Sequence, residues 1–347
     1  MTHPITIDGS TGGGQMLRNA VALSAVTGRS VRVENIRGAR TKPGLRPQHL
    51  TSVRAAAAIC GAELTGAHIG SRVIEFRPGE LSPNTDWRFD IGTAGSTLLV
   101  LQSILPVLSI AYQSSSINLT GGTDVPFAPP FDYFANVFAP ALARLGPFVA
   151  ANIERRGFYP KGGGQMQVNI QPSEAIRSFS WTERGAVKRI CGVAYSQGLA
   201  DYIVDRMRDA AAHTLTSSGY AEIDIEIEVT GKGPSEGCGI VLWTECDNGQ
   251  CLAGSALGRR GKRAEEVGRD AAHALNREID SSAAVGTHLG DQLMVWMAMA
   301  AGPSEITVPQ ITDHIRTAAH VAEGLAGARF TLEEATPSRV KCELGRV

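Results

Sequence analysis

The tetrapeptide Gly-Gly-Gly-Gln occurs twice, at residues 12–15 and 162–165, each time beside a run that alternates like a β-strand. Three consecutive glycines hold neither a helix nor a strand, so the chain must turn there. Ile5-Thr6-Ile7 leads into the first copy, and residues 16–27 then show helical apolar periodicity. The same rhythm follows from Trp87. A strand at 87–91 meets Gly92-Thr93-Ala94-Gly95-Ser96, and an apolar helix is predicted over 97–108. A strand at 117–120, a turn at 121–126 and a helix from Pro130 to Leu145 come next. The second copy of the tetrapeptide precedes an alternating strand at 166–170. It reads as a hairpin turn within a third pass over 154–171. Strand, glycine-rich turn and helix recurring in this way predict a repeated β/α unit.

The texture changes after Pro172. Strands are expected at 186–195, 223–229 and 240–246, and helices at 200–215 and 264–277. That is a compact α+β unit of a common domain size. The acids Glu222, Asp224, Glu226 and Glu228 alternate on one strand face and read as solvent-facing. The earlier rhythm returns with a helix after Gly286, a strand at 306–308, a helix from Thr312 and strands at 330–333 and 340–344. The fold class is therefore α+β. Residues 1–181 and 277–347 form a discontinuous large domain, and residues 182–276 an inserted smaller one. The 347 residues, 43% of them hydrophobic, are enough for two such domains.

Arg37, Arg40, Lys42, Arg46 and His49 fall within thirteen residues, and no Asp or Glu lies between Glu34 and Glu63. Pro43-Gly44 and Pro47 break the run, so it is not one helix face. A looped set of planar guanidinium forks suits phosphate oxygens; a solvated surface loop is the alternative. Net charge is −1, which excludes a non-specific nucleic-acid coat but not a local site for one nucleic-acid end. Six cysteines show neither CxxC nor zinc spacing, and no secretion signal precedes the first strand, pointing to a reducing cytoplasm. No apolar stretch reaches the ~20 residues of a membrane span.

The first glycine-rich turn, running into a helix, is an anion-binding arrangement, and Arg18 adds a cation beside it. Gln102 is the one polar side chain midway along its apolar helix, where a satisfied core amide is the alternative. His288 and His314 each open a helix, where the positive end of the dipole disfavours protonation. A neutral imidazole is what a nucleophile at phosphorus requires.

Asp8-Gly9 with residues 12–18, residues 36–45 with 48–51, Gly92-Thr93-Ala94-Gly95-Ser96, Gly121-Gly122-Thr123-Asp124, residues 156–164 and His288-Leu289-Gly290-Asp291-Gln292-Leu293 together resemble the RNA 3′-terminal phosphate cyclase family. The resemblance runs in order from residue 5 to about 345 and is weakest in the insert. It implies ATP-dependent conversion of an RNA 3′-phosphate end to a 2′,3′-cyclic phosphate through a histidyl-AMP and then an RNA-ppA intermediate. By position it implies His314 as nucleophile. It also implies Gln102 and His288, Leu289, Gly290, Asp291 and Gln292 as nucleotide contacts, and Arg18, Arg37, Arg40 and His49 as residues needed for activity. The fold it implies repeats a unit of two helices on a four-stranded sheet. That unit resembles the C-terminal domain of initiation factor three and the enolpyruvyl transferases, and the insert is thioredoxin-like. Mg²⁺ or Mn²⁺ is expected to accompany ATP without a stable protein-held site, and a homodimer is left open.

One departure stands out. Ser10-Thr11 run directly into the three glycines, whereas the family has a Gly-Glu pair between. Asp8 and Asp291 are the acids that could replace that carboxylate. The alternative function is a non-catalytic cyclase-like protein that binds RNA and assists ribosome biogenesis; retention of His314 with Arg37 and Arg40 favours the enzyme.

Overall fold

The computed structural model describes residues 3–344. Three times the chain runs strand, helix, strand, helix, strand, strand, and each pass closes a four-stranded sheet. The first pass is β1 (Ile5–Asp8), α1 (Gly13–Thr27), β2 (Val31–Glu34), α2 (Pro47–Ile59), β3 (Glu63–Thr65) and β4 (Ile74–Arg77), in sheet order β1-β2-β4-β3. β1 and β2 are parallel, and β4 is antiparallel to β2 and β3. The second pass is β5 (Asp86–Asp90), α3 (Thr97–Leu108), β6 (Ser115–Gly121), a broken helix, β7 (Phe148–Arg155) and β8 (Gly164–Gln171), in the matching order β5-β6-β8-β7. The broken helix joins α4 (Phe131–Tyr133), a π-helical turn (Phe134–Phe138) and α5 (Ala139–Leu145).

β9 (Ser180–Trp181) opens the third pass, which is then interrupted. A separate sheet forms from β10 (Val187–Gln197), α6 (Tyr202–Ser217), β11 (Ile223–Thr230), β12 (Gly237–Cys246) and β13 (Ala253–Leu257), in order β11-β10-β12-β13, followed by α7 (Ala264–Asp280). The third pass resumes with α8 (Thr287–Met299), β14 (Ser304–Val308), α9 (Asp313–Ala326), β15 (Ala328–Glu333) and β16 (Ser338–Leu344), in order β9-β14-β16-β15.

The helices of the three units pack on one another. α1 lies against α2, α3 and α9, α3 also against α2, and α9 against α8. α3 sits deepest, and only Leu99 and Gln102 of its residues escape burial. β6 alternates buried and partly exposed residues over its whole length, as a sheet with one face on helices must.

Several elements differ from the sequence-based expectation. Residues 154–171 are not a third pass. They span the end of β7, a hairpin turn and β8, completing the second sheet. Edge strands β3, β9 and β13 have three, two and five residues, too short or too rich in small residues to show a period. Glu228 is not simply solvent-facing. Arg156, only 1% exposed, donates from Nε and Nη2 to Glu228 at 2.8 and 2.7 Å, and its Nη1 lies 2.9 Å from Asp132 and 3.2 Å from Asp124. Its guanidinium also rests 3.6 Å from the centre of the Tyr195 ring. A buried cation needs such partners, and here they tie the inserted sheet to the second unit. Among the described residues no helix is long and apolar enough to cross a membrane.

Candidate active site

The first glycine-rich turn and the basic loop meet at one end of the first sheet. Arg37 N–H donates to Gly9 O at 3.1 Å and Ala39 N–H to Ser10 O at 2.9 Å. Asp8 closes the turn by accepting from Ser10 and Asn35, which holds its carboxyl below the usual range. It is spent inside the loop. Arg37 has a left-handed backbone, φ 55°, and its Nη1 donates to the carbonyls of Lys42 and Gly44 at 2.8 and 3.0 Å. It pins the loop while Arg40 stays exposed at its tip.

Two glycines permit close approach. A Cβ on Gly12 would lie 2.7 Å from Thr317 on α9, so α9 can set its first turn beside that of α1. A Cβ on Gly14 would lie 2.4 Å from His49 Nε2 and 3.1 Å from Arg18 Nη1. His49 Nδ1 accepts from Arg46 N–H at 3.3 Å, which leaves the proton on Nε2. Burial, with Arg18, Arg37 and Arg46 nearby, pushes this imidazole down to about 3. It is a neutral donor facing Gly14.

Side chains at helical spacing then line a cavity of about 480 Å³: Gln15, Arg18 and Asn19 on α1; Leu99, Gln102 and Leu105 on α3; His288, Asp291, Gln292, Val295 and Trp296 on α8. The segment before α4, Arg40, His314 and Ser255 from the insert complete the wall. The cavity is polar in an unfinished way. Gln15 Oε1, Arg18 Nε, Asn19 Nδ2 and Gln292 Oε1 are buried without a hydrogen-bond partner. Buried polar atoms are normally paired, so these four mark positions where a ligand would supply partners. Arg18 is 7% exposed, and desolvation pushes its guanidinium down to about 10.

His314 stands at the second position of α9, capped by Thr312 Oγ1, which accepts from Ile315 N–H at 3.0 Å. Its Nδ1 lies 3.5 Å from Asp291 Oδ2, and Thr312 Oγ1–H donates to the other oxygen of that carboxylate. Burial, Arg18 and Arg40 lower the His314 pKa, with Asp313 opposing. Burial raises Asp291 to about 6. At neutral pH a neutral imidazole and a carboxylate therefore face each other. Nδ1 is the ring nitrogen beside Asp291. The His314 side chain is 62% accessible.

The family described as RNA 3′-terminal phosphate cyclase matches residues 10–332. This chain belongs to that family. Proteins named RNA 3′-terminal phosphate cyclase from Pyrobaculum neutrophilum and Caldivirga maquilingensis are 42% and 45% identical to it, over 96% and 90% of both chains. One from Archaeoglobus fulgidus is 44% identical over 93% of this chain and 96% of its own. The solved enolpyruvyl transferase NikO from Streptomyces tendae is 10% identical at a TM-score of 0.28, covering 97% of this chain and 65% of its own.

For this cyclase-family chain, the structure brings Arg18, Arg40, Gln102, His288, Asp291, Gln292 and His314 to one cavity. His49 abuts it beside Gly14 and Arg18. Arg37 stands behind, holding the loop. Leu289 and Gly290 face away, Leu289 into the core and Gly290 against Val308, because they lie on the opposite side of α8 from His288, Asp291 and Gln292. Sequence reasoning left the partner of His314 open, and the structure places the Asp291 carboxylate 3.5 Å from its Nδ1. Gln15 and Asn19 were missed, although their spacing of three and one from Arg18 puts all three on one face.

Proposed function

We propose that the protein is an ATP-dependent RNA 3′-terminal phosphate cyclase in which His314 is the nucleophile. The observation that carries this reading is the cavity that a neutral imidazole, 3.5 Å from Asp291, shares with Arg18, Arg40 and the unpartnered polar atoms of Gln15, Asn19 and Gln292. Its size and lining suit one nucleotide. His314 Nε2 attacks the α-phosphorus of ATP, forming an N–P bond as the bond to the β-phosphate oxygen breaks and pyrophosphate leaves. The resulting imidazolium keeps its proton on Nδ1, and the Asp291 carboxylate stabilises the charge. An oxygen of the RNA 3′-phosphate then attacks the adenylyl phosphorus, the N–P bond breaks, and RNA-ppA forms. The 2′-hydroxyl closes on the adjacent phosphorus, AMP leaves, and the hydroxyl proton passes to the departing phosphate.

Arg18 and Arg40 neutralise charge that develops on the phosphates, and His49 donates from Nε2 to a phosphate oxygen. His288, edge-on to Tyr133 with centroids 6.4 Å apart, and Gln102 hold the nucleoside. Mg²⁺ would add further charge neutralisation on the triphosphate. Among the described residues Asp291 is the only acid on the cavity wall, and no group of three His, Cys, Asp or Glu side chains converges. The residues therefore fit an ion carried by phosphates and not a protein-held cage. The large discontinuous domain carries the reaction. The insert's order, with a βαβ unit followed by a hairpin and α7 packed on α6, supports the thioredoxin-like assignment.

The reaction is tested with RNA labelled at a 3′-phosphate. ATP should convert the label to a phosphatase-resistant form that acid opens, and ATP-independent or absent conversion would remove the proposal. RNA binding with no conversion would instead favour the non-catalytic reading.

A further inference from the structure

Two aromatic rings stand in solvent beside the cavity, and nothing in the proposed reaction uses them. Phe127 is fully exposed, and its backbone is left-handed, φ 65°. A bulky non-glycine residue adopts that conformation only under constraint. The constraint is visible. Just upstream, Thr123 Oγ1–H donates to Asp124 at 2.7 Å and accepts from Gly157 N–H at 2.8 Å, and Val125 is buried. Pro126 precedes Phe127, and Pro129-Pro130 follow it. A stiff, anchored loop thus holds an apolar ring outward.

Phe127 lines both the nucleotide-sized cavity and a second groove. Tyr159, 70% exposed at the tip of the β7–β8 hairpin, lines that groove, together with Gln48, Ser96 and Val125. Gln48 Oε1 accepts from Ser96 N–H at 2.7 Å, so the floor joins the basic loop's helix α2 to the second glycine turn. The groove therefore runs from the His49 end of the basic loop to the rim of the cavity. We propose that Phe127 and Tyr159 are a stacking platform for the last bases of a single-stranded RNA. The platform feeds the 3′-phosphate to the Arg18, Arg40 and His49 cluster. Stacking accepts any base because every base offers a π face, and among the described residues the groove's lining includes no Arg, Lys, Asp or Glu. The platform thus sets affinity for RNA ends without sequence preference. This inference rests on the RNA substrate of the proposed function, though not on its covalent chemistry.

The test uses the full chain and a short RNA carrying a 3′-phosphate and 2-aminopurine at the second-last base, without ATP. Binding to wild type should quench the fluorophore through stacking. Phe127→Ser and Tyr159→Ser should relieve the quench and weaken binding by roughly 5- to 100-fold each, while Tyr159→Phe should retain both. Serine variants that bind and quench as wild type does would overturn the platform, as would a wild type that binds RNA without quenching or not at all. Loss of self-association in the serine variants, with RNA binding untouched, would also overturn it by making the patch a contact between copies. Self-adenylylation with labelled ATP is read separately. Its absence beside an intact quench would sink the proposed reaction and leave the platform standing.

Discussion

Arg18→Met should make the ligand-free protein more stable while crippling it. Arg18 is 7% exposed, its Nε is unpartnered, and no acid pairs with it among the described residues. Burial lowers its pKa from 12.5 to about 10. At roughly 1.4 kcal/mol for each tenfold change in protonation, that is about 3 kcal/mol of folding free energy lost to holding the charge. The sign follows from linkage. A base whose folded pKa is depressed binds its proton less well when folded, so the penalty is complete below about pH 10 and fades only between there and 12.5. Methionine keeps most of the aliphatic stem and removes the charge. Allowing for imperfect packing at the cavity wall, a gain of about 1–3 kcal/mol is expected at neutral pH. The assay is denaturant unfolding of both proteins without nucleotide, read as a midpoint shift at unchanged slope. ATP should then stabilise the wild type more than the variant, and the variant's rate should fall roughly 10²–10³-fold, as when one preorganised donor is lost. A variant less stable than wild type without ATP would refute the reasoning, because Arg18 would then be satisfied by the folded protein.

Asp291→Asn should leave the fold intact and lower self-adenylylation by roughly 10²–10⁴-fold, the range for losing a group that orients and stabilises an imidazolium. The rate of self-adenylylation should rise with pH to a plateau with a midpoint below 6.5, since burial, Arg18 and Arg40 lower the His314 pKa. Arg40→Gln should move that midpoint upward in a pH–rate profile. Gly14→Ala should cut cyclisation at least tenfold without unfolding the protein, because the new Cβ would sit 2.4 Å from His49 Nε2; the rate and the circular dichroism spectrum check this together. Arg156→Met should cost about 3–5 kcal/mol in denaturant unfolding, since it strands Asp124, Asp132 and Glu228.

The repeat was legible where period and punctuation agreed. Residues 97–108 read as an apolar helix, and α3 occupies those positions because its burial is nearly all round. The turn at 162–165 read correctly as a hairpin, but its sheet was misassigned because β7 pairs with β8 and not with a new unit. Glu228 looked like Glu222, Asp224 and Glu226 before it, since nothing local reveals a buried guanidinium 72 positions earlier in the chain. The motif residues were legible as a set, whereas their division of labour was not. Asp291 and His314 lie 23 positions apart and meet only because α8 and α9 pack together. Phe127 lies between Pro126 and Pro129-Pro130, and nothing in the sequence marks it out. Its exposure and its left-handed backbone exist only in three dimensions.

The most direct measurement is incubation with α-labelled ATP and Mg²⁺ followed by a denaturing gel, for wild type and His314→Ala. Label on the wild type that is acid-labile, hydroxylamine-sensitive and absent from the variant is the expected result. No label on the wild type with either Mg²⁺ or Mn²⁺, or label that persists in His314→Ala, would contradict a His314-centred adenylyl transfer.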